Sequence, residues 1–219
     1  MEQVRFRFMD TDWIKMKLAA ATVGIAGAGG LGSTVATALA RAGVGRLIIA
    51  DFDKVEQSNL NRQHYFRDQV GVAKVEALAE NLRRIDEAVK VETHNVRVTA
   101  ENVEQLFGQA DIVAECLDAA EQKQMLVETV LTALDKPVVS ASGMAGFGGS
   151  NRIRTRRVSP NFIVAGDEIS GIETQPYLTA ARVWIVACHQ ANAILELLLT
   201  GDVNPQGAAD SDIYKGKLL

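Results

Sequence analysis

The sequence predicts an α/β protein built on a doubly wound, mostly parallel sheet, with antiparallel strands and a long closing helix at the C-terminal end. Three observations carry that prediction. Short apolar runs alternate with helix-patterned segments as far as Ser140, the order that parallel strands and crossover helices require. A glycine-rich turn, Gly27-Ala28-Gly29-Gly30-Leu31-Gly32, joins the first apolar run to the first of these helices. Beyond Ser140 the alternation stops, and a charged segment and a short apolar run precede one long apolar stretch.

Each element has a local reason. Residues 22–26 are a β-branched run entering the glycine turn, as a buried parallel strand does. Residues 31–42, rich in Ala and Leu, read as a helix that Gly43 stops. Residues 46–50 are a second apolar strand, which delivers Asp51 at its C-terminal end. Ala73, Ala77, Leu78, Leu82 and Ile85 recur at helical spacing and predict a helix over 72–85. Residues 90–96 alternate like a strand, 111–116 form another apolar run, a helix follows to about residue 134, and 137–140 open a further strand. Residues 151–158 alternate with charge, which predicts a solvated or edge strand, and 162–165 can pair with it antiparallel. A helix over 179–199 closes the fold. No repeat, low-complexity tract or Pro/Ser-rich linker interrupts the chain, so one domain over 1–219 is expected. Its parts are an arm at 1–18, a core at about 19–201 and a loose polar tail at 202–219.

Composition narrows the function. The chain has 219 residues, 47% hydrophobic and 23% charged, enough to bury a full core. A net charge of -4 offers no basic footprint for nucleic acid. Two cysteines, Cys116 and Cys188, can build neither a disulfide framework nor a four-thiolate zinc site, as expected of a cytoplasmic protein. The N-terminus alternates charged and apolar residues and lacks the apolar run of a signal peptide. The longest membrane candidate, 183–199, contains His189, Gln190, Asn192 and Glu196, so it reads as a buried or amphipathic helix and no membrane partner is expected.

Strand, glycine turn and helix in that order present backbone N–H groups and a helix N-terminus to one point, where phosphate is favoured. Gly27, Gly29, Gly30 and Gly32 are therefore candidate nucleotide-binding residues, and Asp51 stands where a ribose-binding acid is expected. A packing turn and a helix-capping or loop charge are their structural alternatives. Beyond Asp51 lies a polar set, Asp53, Asn59, Arg62, Gln63 and Lys74, for which a redox dinucleotide site has no use. Adenylyl transfer does, because donors must neutralise the triphosphate as a carboxylate attacks the α-phosphorus and pyrophosphate leaves. Arg62 offers a planar fork and Lys74 a compact charge, against a surface ion pair and a solvated helix start as the bland readings. Asp118 follows a strand end that faces the same crevice. It could hold Mg²⁺ beside phosphates, or cap the helix beginning near Ala119.

At these residues the chain resembles the ThiF/MoeB/HesA family, the bacterial relatives of ubiquitin-activating enzymes. The resemblance covers roughly 19–201. It rests on the glycine turn, the run from Asp51 to Gln63 (DFDKVEQSNLNRQ), Lys74, and Leu117-Asp118-Ala119-Ala120-Glu121. Residues 141–146 (ASGMAG) and 189–192 (HQAN) are most similar to a short ThiF subgroup of thiamine biosynthesis. The resemblance implies a Rossmann-like homodimer that uses MgATP to adenylate the C-terminal glycine of a small ubiquitin-fold sulfur carrier ending in Gly-Gly. It assigns nucleotide-site roles to Gly30, Asp51, Ser58, Asn59, Arg62, Lys74 and Asp118. Asp53, Arg62 and Gln63 would lie nearest the reacting phosphates. An N-terminal arginine, Arg5 or Arg7, would reach the neighbouring subunit's ATP.

The chain lacks the two Cys-x-x-Cys pairs of longer relatives, so no zinc is expected. Cys116 and Cys188 are expected to be small buried groups rather than catalytic thiols. His64 reads as a surface-loop or pocket residue, His94 as a strand residue and His189 as a helix-packing group. An NAD(P)-dependent oxidoreductase and a non-catalytic nucleotide-binding scaffold are the competing readings.

Overall fold

The computed structural model describes residues 10–173 and 175–203. Arg5, Arg7 and most of the expected tail lie outside them. Helix α1 (Thr11–Ala20) leads into strand β1 (Thr22–Ala26), helix α2 (Gly30–Ala42) and strand β2 (Arg46–Ala50). Helix α3 (Lys74–Arg83), strand β3 (Lys90–His94), the short helix α4 (Val103–Phe107) and strand β4 (Ile112–Glu115) follow. Helix α5 (Ala120–Thr129) runs on into a π-helical turn (Val130–Leu134) before strand β5 (Val138–Ala141). Strands β6 (Arg154–Ser159) and β7 (Phe162–Gly166) precede the long helix α6 (Ala180–Thr200).

The seven strands form one sheet in the order β3-β2-β1-β4-β5-β7-β6. β1 pairs parallel with both β2 and β4, and only β6 runs antiparallel, at the edge beside β7. The chain thus reverses direction across the sheet between β1 and β4, the topological switch where a crevice opens at the strand C-termini. One face of the sheet packs against α1, α2, α3 and α6, and the other against α4, α5 and the π-turn. β1, β2, β4 and β5 are buried almost throughout, which is why they read as unbroken apolar runs.

The structure differs from expectation in several places: β6 starts at Arg154 because Ser150–Arg152 form a 3₁₀ turn, and β3 ends at His94. Residues from Thr11 onward are helix rather than arm, with Leu18 in the core. α3 begins two residues later than its periodicity predicts, because Val72 and Ala73 are held by the segment after β2 through the Val55 N–H to Val72 O bond and the Lys54–Ala73 bridge. α4, too short to show a period, has no counterpart in the sequence reading. α6 has the length and apolar composition of a membrane span. It places Val183, Val186, Ala187, Ala191 and Ile194 in the core of this domain.

Candidate active site

β1 ends in the glycine turn. At Gly27 (φ +96°) a Cβ would lie 2.5 Å from the Cys116 carbonyl oxygen, so only glycine passes the end of β4 there. Gly32 has a different task. A Cβ on it would fall 1.8 Å from the Gly27 oxygen, so its missing side chain lets α2 close onto β1, and it does not face the crevice. The Ala28 peptide is gripped from both sides. Its N–H donates to Asp51 Oδ2 and its carbonyl accepts from Tyr65 Oη, each at 2.6 Å. Asp51 Oδ1 also accepts from the Asp53 N–H at 2.7 Å. Asp51 therefore anchors the turn as well as standing at the ribose position. With the Ala28 N–H so engaged, the amides opening α2 are the donors left for an anion.

Sequence reasoning missed Tyr65. Burial first, then the nearby Asp51 and Asp53 charges, push its phenol well above the ordinary value, so it stays a donor. Tyr65→Phe would leave the fully buried Ala28 carbonyl without that donor. The expected cost is about 1–3 kcal/mol, seen as a lower melting temperature together with weaker ATP binding by calorimetry. If neither changes, Tyr65 does not support the turn.

The opposite wall comes from the segment between β2 and α3. Lys74 opens α3 yet is only 6% exposed. Its backbone N–H donates to the Asp53 carbonyl at 2.9 Å and its Nζ to Asp53 Oδ2 at 2.7 Å. This rules out a solvated helix start. Asn59 and Gln63 are buried as well, and Asn59 Oδ1 accepts from the Glu56 N–H at 3.1 Å. Gln63 Nε2 stands 3.8 Å from where a Cβ on Gly29 would be, and Gln63 Oε1 is buried without a partner. A buried unmatched amide beside the turn is a polar group whose partner a ligand or water would supply. Arg62 crosses Gly30, its Cγ 3.5 Å from a Cβ position there. Its Nη1 donates to Asn61 Oδ1 at 2.8 Å and the Ser58 carbonyl at 3.3 Å. Ser58 itself is exposed, bonds Glu56 through its hydroxyl at 3.1 Å, and does not line the crevice. Gly32 and Ser58 are thus the two predicted nucleotide residues that the fold leaves outside.

The crevice has a volume of about 820 Å³ and brings together Gly27, Gly29, Gly30, Asp51, Asp53, Asn59, Arg62, Gln63, Lys74 and Asp118. Asp118 is exposed, and no described residue pairs with its carboxylate. The cap position of α5 is Ala119, with no side-chain cap bond, so helix capping is not the role of Asp118. Among the described residues no three His, Cys, Asp or Glu side chains cluster to hold a metal. A single free carboxylate fits an ion carried mainly by phosphates.

Two further cationic groups line the crevice. Arg97 lies 3.9 Å over the Phe52 ring beside the end of β2. Lys123 Nζ reaches both carboxylate oxygens of Glu115 at 3.0 Å. Glu115, fully buried at the end of β4, also accepts from Ser140 Oγ at 2.5 Å and the Leu117 N–H at 2.7 Å. An acid closing an apolar strand was the signal for this network. Cys116 is buried as expected, and burial holds its thiol far above the ordinary value. Cys188 is exposed on α6, against expectation, because it falls on the outer face of that helix. His64 is outside the crevice, stacked on Trp184, while His189 bonds Thr155 as a packing group.

Fold and crevice together define a domain of the doubly wound α/β class with an open crevice at the strand C-termini. The chain belongs to the ThiF family, whose sequence pattern matches residues 2–214. It is 38% identical over 131 residues to the adenylyltransferase and sulfurtransferase MOCS3 of Xenopus laevis, covering 59% of this chain and 29% of that protein. It is likewise 38% identical over 116 residues to ubiquitin-like modifier-activating enzyme 5 of Drosophila ananassae, covering 48% of this chain and 29% of that one. The chain thus spans less than a third of the length of these curated relatives. Its fold is similar to that of the E. coli tRNA N6-threonylcarbamoyladenosine dehydratase TcdA in complex with AMP. The TM-score is 0.78 at 23% identity, over 86% of this chain and 90% of that one.

Proposed function

We propose that the protein adenylylates a protein C-terminus: a terminal glycine carboxylate attacks the α-phosphorus of ATP, the bond to the β-phosphate oxygen breaks, and pyrophosphate leaves. The acceptor is a small ubiquitin-fold sulfur carrier ending in Gly-Gly, in a thiamine-type pathway, and the enzyme works as a cytoplasmic homodimer. One observation carries the reading. Arg62, Lys74, Asn59 and Gln63 converge with the glycine turn on a single crevice. Family membership and relatives named as adenylyltransferases and modifier-activating enzymes support it.

A C-terminal carboxylate is already ionised near neutral pH, so no general base is needed. The chain's task is to position the two reactants and spread the developing charge. The α2 amides and Lys74 face the phosphates, Arg62 and Gln63 flank the reacting centre, and Asp51 holds the ribose end. Asp118 would hold Mg²⁺, whose chemistry is to neutralise phosphate oxygens.

The test is exchange of labelled pyrophosphate into ATP with candidate carriers ending in Gly-Gly. Exchange that depends on a carrier, and is lost in Arg62→Ala, is the expected result. Absence of exchange with every carrier, together with tight NAD binding, would replace this reading by the oxidoreductase.

A further inference from the structure

Three consecutive residues near the start of α6 touch three different segments around the site. Arg182 is buried and donates to Asp167 Oδ2 at 2.5 Å and to the Gly148 carbonyl, which ties down the segment between β5 and α6. Val183 Cγ1 lies 3.0 Å from the position of a Cβ on Gly30, closing over the glycine turn. Trp184 Nε1 donates to the carbonyl oxygen of Arg62 at 2.9 Å.

The tryptophan is well placed to hold that carbonyl still. Its ring stacks on His64, with centroids 4.8 Å apart and planes 26° from parallel. His64 in turn donates its backbone N–H to Ser33 Oγ in α2 at 3.2 Å, and its carbonyl accepts from Asn81 Nδ2 in α3 at 2.9 Å. Among the described residues, by contrast, the Arg62 guanidinium is held only by exposed loop groups, Asn61 and the Ser58 carbonyl. The backbone of Arg62 is therefore the fixed end of the side chain, and the fork is the end free to turn. Trp184 is 39% exposed, so water could serve its N–H equally well and core filling does not account for the contact.

We propose that Trp184 is a positioning residue for Arg62. Its indole N–H sets the main chain from which the guanidinium reaches the nucleotide phosphates. Through the turn it shares with Arg182, it couples Arg62 to the segment around Asp167 and Ser170, which borders the far wall. The proposal rests on the triphosphate reading of the crevice.

The experiment is calorimetric titration of the full chain with MgATP and, separately, with adenosine, in wild type, Trp184→Phe, Arg62→Ala and the double variant. Phenylalanine keeps an aromatic ring against His64 and removes the donor, at the cost of some ring area. Trp184→Phe should weaken MgATP about threefold to tenfold, the net worth of one hydrogen bond. It should leave adenosine binding unchanged and add nothing to Arg62→Ala, since two residues acting as a unit do not add. A loss that adds to Arg62→Ala, an equal loss for adenosine, or no loss at all overturns the proposal. Arg62→Ala without effect on MgATP defeats the triphosphate reading itself, and with it the proposal.

Discussion

Replacing Lys74 with methionine is expected to lower carrier-dependent pyrophosphate exchange about 100- to 1,000-fold, the usual cost of removing one donor that meets developing charge. The melting temperature should stay near that of wild type. Both halves follow from the environment of the residue. The Lys74 side chain is 8% exposed and its Nζ sits 2.7 Å from Asp53, at the edge of the crevice. Methionine has a similar length and apolar stem, so the packing beneath α3 survives. Asp53 is 47% exposed, and water takes over its carboxylate once the cation is gone. With its carboxylate half exposed to water, the pair is worth about 1 kcal/mol. Exchange retained within tenfold would mean that the ammonium serves Asp53 and not a phosphate.

Arg182→Met should have the opposite profile, a large loss of stability. The Arg182–Asp167 pair is 4% and 2% exposed. Removing one member of a buried pair leaves an uncompensated charge and costs about 3–5 kcal/mol. For a domain of this size each kcal/mol moves the melting temperature by about 2–4 °C, so a fall on the order of 10 °C is expected. Asp167 would keep its bonds from Ser170 and the Ile169 N–H, but these are dipoles rather than a counter-charge. The double replacement Arg182→Met with Asp167→Leu should recover much of the loss, because two apolar groups bury without a desolvation penalty. Denaturant unfolding measures both. A single variant within about 1 kcal/mol of wild type would show that the carboxylate finds water or a proton instead.

Much of the site was legible because its residues lie close together along the chain. Gly27 to Gly30 precede Asp51 by one strand and helix, and Asp53 to Gln63 follow directly. The strand ends on which they ride are short apolar runs buried on both faces, and Thr22–Ala26 and Arg46–Ala50 have the limits their composition predicts. α1 was not legible. Its residues, TDWIKMKLAA, bury fully only Leu18, so no apolar stripe marks it. The roles of Gly32 and Ser58 were assigned from their motifs alone. One is needed for backbone clearance and the other points to the loop surface, and neither distinction is visible without coordinates.

By itself the sequence determined the doubly wound sheet, the glycine turn and the polar group after β2, since these depend on local pattern and on the direction in which each strand delivers its last residue. Tertiary structure decided how that group is held. Tyr65 on Ala28 and Trp184 on Arg62 are contacts between segments remote in the chain, while Lys123 on Glu115 and Arg182 on Asp167 join neighbouring elements. The Ala28 carbonyl, Glu115 and Asp167 are polar groups that must find a partner once packing has removed water, and which partner is within reach depends on how the helices settle on the sheet.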